Sequence, residues 1–134
     1  MKTKIIPILV ILALVIVAVI FNKKSTLENA KIRLESPKAN QIVSSPLVVT
    51  GIARGTWYFE ASFPVRLLDA NNQELAVMPA QAQGEWMTED FVPFSVTLTF
   101  ANPSTATGKL ILQKDNPSGD PARDEQIEIL VRFR

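Results

Sequence analysis

From residue 31 onward, apolar side chains fall on nearly every second position, in short runs broken by proline, glycine and asparagine. Successive side chains of an extended strand point to opposite faces, so this rhythm predicts strands with one dry face. The clearest run sets Ile127, Ile129, Val131 and Phe133 against Glu128, Leu130, Arg132 and Arg134. Phe94, Val96, Leu98 and Phe100 share one face, with Ser95, Thr97 and Thr99 on the other. Residues 31–35 alternate until Ser36 and Pro37 stop them, and Pro46 opens a β-branched run over 47–53. Gly51 inside that run predicts a bulge or a close crossing by a neighbour. Phe63, Val65 and Leu67 alternate as far as the turn residues Asp69-Ala70-Asn71-Asn72, which lead into residues 74–79, and Pro64 marks part of the run as edge or bulge. Leu110 and Leu112 follow Gly108. About seven short strands, with no helical period after residue 24, predict an all-β, antiparallel two-sheet sandwich over residues 31–134.

The first 24 residues follow another pattern. Lys2 and Lys4 precede 17 consecutive apolar residues, 5–21, and Asn22, Lys23 and Lys24 follow. At about 1.5 Å per residue this run is about 25 Å long as a helix, slightly short of a hydrocarbon core of about 30 Å. Lys4 and Lys23 snorkel to the headgroups and the bilayer thins locally, which covers the deficit. The expectation is a transmembrane signal anchor over 1–24, with Ile5, Leu9, Leu12, Val15, Val19 and Phe21 among its lipid-facing residues, and a polar linker over 25–30. A cleaved signal peptide is the alternative. Cleavage requires a pair of small residues two apart, and Ala13 and Ala18 do not form one. Basic residues are nearly balanced across the run, so charge does not orient it. The short basic N-terminus is the layout of a signal anchor that leaves the C-terminal domain outside the cytoplasm, making the chain a single-pass protein of the cell membrane.

Composition narrows the chemistry. The chain has neither histidine nor cysteine, which excludes Ser-His-Asp triads, thiol nucleophiles, common zinc sites and disulfide staples. A sandwich without disulfides must hold by packing alone. Ten lysines and arginines outside the anchor flanks face 13 acids, so the domain is mildly acidic and a poor surface for nucleic acid. The expectation is a non-enzymatic protein without a cofactor.

In order and spacing, the chain resembles the immunoglobulin-like domain of bacterial spore germination. The resemblance rests on Ile32, Pro37, the run Ser45-Pro46-Leu47-Val48-Val49-Thr50-Gly51-Ile52-Ala53, Phe59-Glu60-Ala61, Trp86-Met87-Thr88-Glu89-Asp90-Phe91, Phe94, Gly108-Lys109-Leu110, Asn116-Pro117-Ser118-Gly119 and Ile129-Leu130-Val131-Arg132-Phe133. It implies an immunoglobulin-like fold, an extracytoplasmic setting and no enzymatic role. Members often follow another germination or envelope domain, whereas here only the apolar run stands upstream.

Three constellations stand out against this background. Trp57-Tyr58-Phe59 is the densest aromatic cluster; either it caps the open end of the sandwich, or Trp57, Tyr58 and Trp86 serve as platforms for glycan rings. The loop over 115–125 is rich in oxygen donors. It reads as ordinary solvated loop chemistry, with Asp115, Asp120 and Asp124 as weak calcium candidates whose spacing fits no EF-hand. Arg132 and Arg134 read as charges protecting an edge strand from pairing. Together these features predict an envelope binding or scaffolding module that presents the loops 54–60, 82–90 and 115–124 to a cell-wall glycan or an envelope protein. The alternative is a structural protein that oligomerises through an edge strand or its anchor.

Overall fold

The structure is a computed structural model that describes residues 10–20 and 30–134. The chain divides into two units at residue 30. In the first, residues 10–20 form a helix that is apolar and exposed on every side. Eleven residues make about 16 Å of helix, and among the described residues no helix is long and apolar enough to cross a membrane. Leu12, Val15 and Val19 of the expected anchor lie on this helix; Ile5, Leu9 and Phe21, and all of the linker except Ala30, lie outside the described residues.

The second unit contains seven strands: β1 (Ile32–Ser36), β2 (Leu47–Arg54), β3 (Ser62–Asp69), β4 (Glu74–Ala82), β5 (Phe91–Leu98), β6 (Thr107–Gln113) and β7 (Gln126–Arg132). All neighbours are antiparallel. The two sheets expected from the sequence are one continuous sheet, in the order β1-β2-β5-β4-β3-β6-β7. It folds over at a narrow hinge, where β4 and β5 pair only through Gln81 with Ser95 and Ala82 with Phe94. The halves β1-β2-β5 and β4-β3-β6-β7 enclose the core, and the rings of Phe63 on β3 and Phe94 on β5 meet edge to face 5.0 Å apart.

Period-2 patterning holds because only one face of each strand is dry. β2 buries Leu47, Val49, Gly51 and Ala53, and β5 buries Val92, Phe94, Val96 and Leu98. Gly51 does mark a close crossing. A methyl group there would strike the Arg33 carbonyl and come within 2.8 Å of the Phe94 ring, and the β1–β2 register slips beside it, between Leu34 and Ser36. Pro64 faces Pro79 on β4. Neither can donate a hydrogen bond, so this pair occupies a non-bonded position of the ladder with both ring nitrogens turned outward. The outward side is open at each, because β6 first joins β3 at Val65 and β5 joins β4 only from Gln81. Asp69 is the only buried charged residue among the described ones. Its Oδ1 accepts the amides of Asn71 (2.8 Å) and Gln73 (2.9 Å), which fixes the predicted turn.

β7 is the outermost strand of the sheet, as the sequence predicts, but its last residues are covered. After the cis Ser36–Pro37 bond the chain crosses to the other half of the sheet and runs parallel to β7. The Val43 amide donates to the Arg132 carbonyl (2.7 Å) and the Arg132 amide to the Gln41 carbonyl (2.9 Å). The crossing segment covers β7 only over residues 130–132, and the rest of its outer side borders no strand among the described residues. Arg134 ties down the loop after β5, donating to the carbonyls of Ser104 (2.8 Å) and Pro103 (3.4 Å).

Candidate functional site

The register places the ends of β2, β4 and β6 and the starts of β3, β5 and β7 at one end of the fold. All three loops expected to carry function gather there, together with Lys31 at the start of the domain. Backbone bonds tie them to one another. The Gly55 amide donates to the Asp90 carbonyl (3.0 Å) and the Asp115 amide to the Trp57 carbonyl (3.1 Å). Gly55 has to be glycine, because a Cβ at that position would run into the carbonyls of Trp86 and Thr88. Glu125 receives Lys31 Nζ at 2.8 Å and Lys114 Nζ at 3.3 Å. Its carboxyl is held below the ordinary range, first by the Lys31 hydrogen bond, with burial working against the shift.

The aromatic cluster lies inside the fold. Trp57 and Tyr58 are both buried, with edge-to-face contacts to Phe63 at 6.3 Å and 5.2 Å. The Tyr58 hydroxyl donates to the Val92 carbonyl (2.7 Å), and burial pushes its pKa up to about 12. The Trp57 Nε1–H lacks an acceptor among the described residues. Neither ring presents a face to a ligand; both cap the core, the other role open to this cluster. Trp86 is half-buried against that core. Solvent instead meets their sequence neighbours, Phe59 (41% exposed) and Met87 (74% exposed). Phe59 precedes a two-residue turn in which Glu60 and Ala61 are both left-handed (φ 49° and 63°) and Phe59 and Ser62 exchange backbone hydrogen bonds. No period in the sequence marks Phe59 or Met87 as exposed, since both sit on turns.

Between the loop over 84–90 and the start of β5 lies an open groove of about 310 Å3. Phe91, Val92 and Pro93 form its apolar side, with Glu85, Thr88 and Asp90 alongside. The guanidinium of Arg54 stacks 3.9 Å over Phe91 and donates to the Glu89 carbonyl (3.3 Å), and that of Arg33 lies 4.7 Å from the same ring. These stacks hold Phe91 as a fixed wall.

The acidic loop is organised by its own side chains. Asn116 Nδ2 donates to the Asp120 carbonyl (2.8 Å) and to Asp124 Oδ1 (2.7 Å), while Asp120 Oδ1 accepts the Ala122 amide (3.0 Å). Asp115, Asp120 and Asp124 are not brought together as a metal site. Among the described residues no group of three or more acidic side chains could hold a metal ion.

With this geometry, the family model for the immunoglobulin-like domain of bacterial spore germination matches residues 31–120. The chain belongs to this family. The match to the spore germination immunoglobulin-like domain covers β1 to β6 and the first part of the acidic loop, and β7 lies beyond it. Membership makes the chain a germination-related immunoglobulin-like module. Neither curated proteins nor solved structures give a significant match.

Proposed function

We propose that this chain is a membrane-tethered, non-catalytic interaction module of the cell envelope, whose loop end binds a basic, apolar segment of an envelope protein. The carrying observation is the groove between the loop over 84–90 and the start of β5, at the end of the fold where all three loops gather and where Phe59 and Met87 are exposed. On the loop side, charge favours a basic partner, because residues 83–90 include Glu85, Glu89 and Asp90 and no lysine or arginine, while the nearby Arg33 and Arg54 guanidiniums are engaged on the Phe91 ring. The 17-residue apolar run, helical and exposed over 10–20, supports the tether and with it an extracytoplasmic domain. The absence of histidine and cysteine supports the non-catalytic reading. A glycan is disfavoured at this end, since Trp57 and Tyr58 are buried.

One experiment tests tether and site together. Membranes carrying the full chain are washed with alkaline carbonate, then offered a fluorescent peptide alternating lysine with leucine and its glutamate counterpart. The chain should stay in the pellet and retain the basic peptide in a salt-sensitive manner. Met87→Ser with Phe59→Ser should weaken retention by about tenfold or more, as expected when apolar anchors worth about 1–2 kcal/mol are lost. Release of the chain by carbonate overturns the tether, and equal retention of both peptides overturns the site.

A further inference from the structure

The end of the fold opposite these loops carries a second, more enclosed cavity of about 190 Å3. It opens between the residues that follow the crossing to β7, the segment after β5, and Phe133 just beyond β7. Two rings form its wall: Phe100 and Phe133 lie 6.1 Å apart, inclined at 57°, both half-buried against the core. Each is held in place by the surrounding backbone. The Phe100 amide donates to Ser45 Oγ (3.0 Å) and the Phe133 amide to the Ala106 carbonyl (2.8 Å). Gly108 leaves the space that Phe133 fills, since a Cβ there would lie 2.6 Å from the ring. Arg134 fixes the rim through the carbonyls of Pro103 and Ser104. The cavity is thus formed in advance of any ligand.

Its polar groups are placed for recognition and are free to act. Among the described residues, neither the Ser44 hydroxyl nor the Asn102 carboxamide makes a hydrogen bond, and Ser45 Oγ acts only as an acceptor. Together they offer donors and acceptors of both kinds. No ionisable side chain lines the cavity, and the Arg134 guanidinium at its rim is engaged with the carbonyls of Pro103 and Ser104. Its volume is below the roughly 300–1,000 Å3 of sites for drug-sized ligands, which limits it to a fragment of about one ring. Aromatic faces are electron-rich and attract the polarised C–H groups on the flat side of a pyranose, whose hydroxyls then point to the rim.

We infer that this cavity is a binding site for one uncharged pyranose ring, presented free or at the end of a glycan. The inference is independent of the loop end and extends beyond the proposed protein partner.

Saturation-transfer NMR on the full chain in detergent micelles tests it, with methyl glucoside and methyl N-acetylglucosaminide as probes and glucuronate as the charged control. Transfer to protons on one face of the neutral sugars is expected, with the millimolar affinity of a small ligand. Ser44→Ala with Asn102→Ala should weaken binding about two- to tenfold per group lost, with an unchanged melting temperature because both side chains are exposed and unbonded. Phe100→Leu should weaken it independently, and Met87→Glu at the loop end should leave it intact. A longer β-linked oligosaccharide that binds more tightly than the monosaccharides identifies a glycan end as the source, and equal affinity identifies the free sugar. Three results overturn the proposal: no transfer from the wild type at 10 mM sugar (about ten times a millimolar dissociation constant), undiminished transfer in the Ser44→Ala/Asn102→Ala variant, or tighter binding of glucuronate.

Discussion

Tyr58 is the one tyrosine in the chain, and its hydroxyl is buried on the Val92 carbonyl. Its ionisation can therefore be followed without overlap from other tyrosines. Burial raises the folded pKa to about 12 from an ordinary value of 10.0. Below pH 10 the hydroxyl is neutral in both folded and unfolded chains, and its contribution to stability is complete. As pH rises through the window from 10 to 12 the unfolded chain ionises first, so that contribution is lost. Absorbance at 295 nm should titrate near 12 in the native protein and near 10 in denaturant, and the melting temperature should fall more steeply across this window than in Tyr58→Phe. A native midpoint near 10 would place the ring in water. The sequence shows Trp57-Tyr58-Phe59 as a dense aromatic cluster but not which of the three faces solvent. A 3-10 turn over Gly55–Trp57 and the left-handed pair Glu60 and Ala61 break the strand period on either side.

Among the elements, the strands were the most legible feature of the sequence. All seven expected runs are present, because one dry face imposes a period that local reading detects. Pairing order was not legible, since register between strands far apart in the chain leaves no mark on either alone. β7 shows the limit: it has the cleanest alternation in the sequence, yet only Val131 is fully buried, while Leu130 is 57% exposed. At the opposite end of β2, Gly55 joins strand to loop with no room for a side chain. Gly55→Ala should cost about 2 kcal/mol by overpacking, a fall in melting temperature of roughly 10 °C for a domain of this size. Gly84→Ala, which meets nothing within 4 Å, should leave it nearly unchanged. Equal melting temperatures for the two variants would show that the loop over 86–90 yields freely.

At the scale of the whole domain, the fold has one partly covered edge and one open corner. The amides of Val43 and Arg132 are bonded where the crossing segment covers the end of β7, whereas the outward amide of Val77 on β4 faces no strand, because β5 reaches β4 only at Gln81 and Ala82. Hydrogen exchange should therefore separate them. Val43 and Arg132 should exchange only through global opening, and Val77 orders of magnitude faster through local access. Comparable rates would mean that the crossing segment detaches on its own. The sandwich architecture was readable from strand count and spacing. The continuity of its sheet was not, because it depends on two residue pairs at the β4–β5 hinge.

The crossing segment also bears on how the domain is made at the ribosome. Residues 40–43 are among the first of the domain to be synthesised, and their partner, β7, is the last strand to emerge. About ninety residues separate the two, so at about 5–20 residues per second the early segment waits roughly 5–20 s for its mate. A nascent chain stalled after β6 would hold a hydrophobic interior with its seam still unsewn.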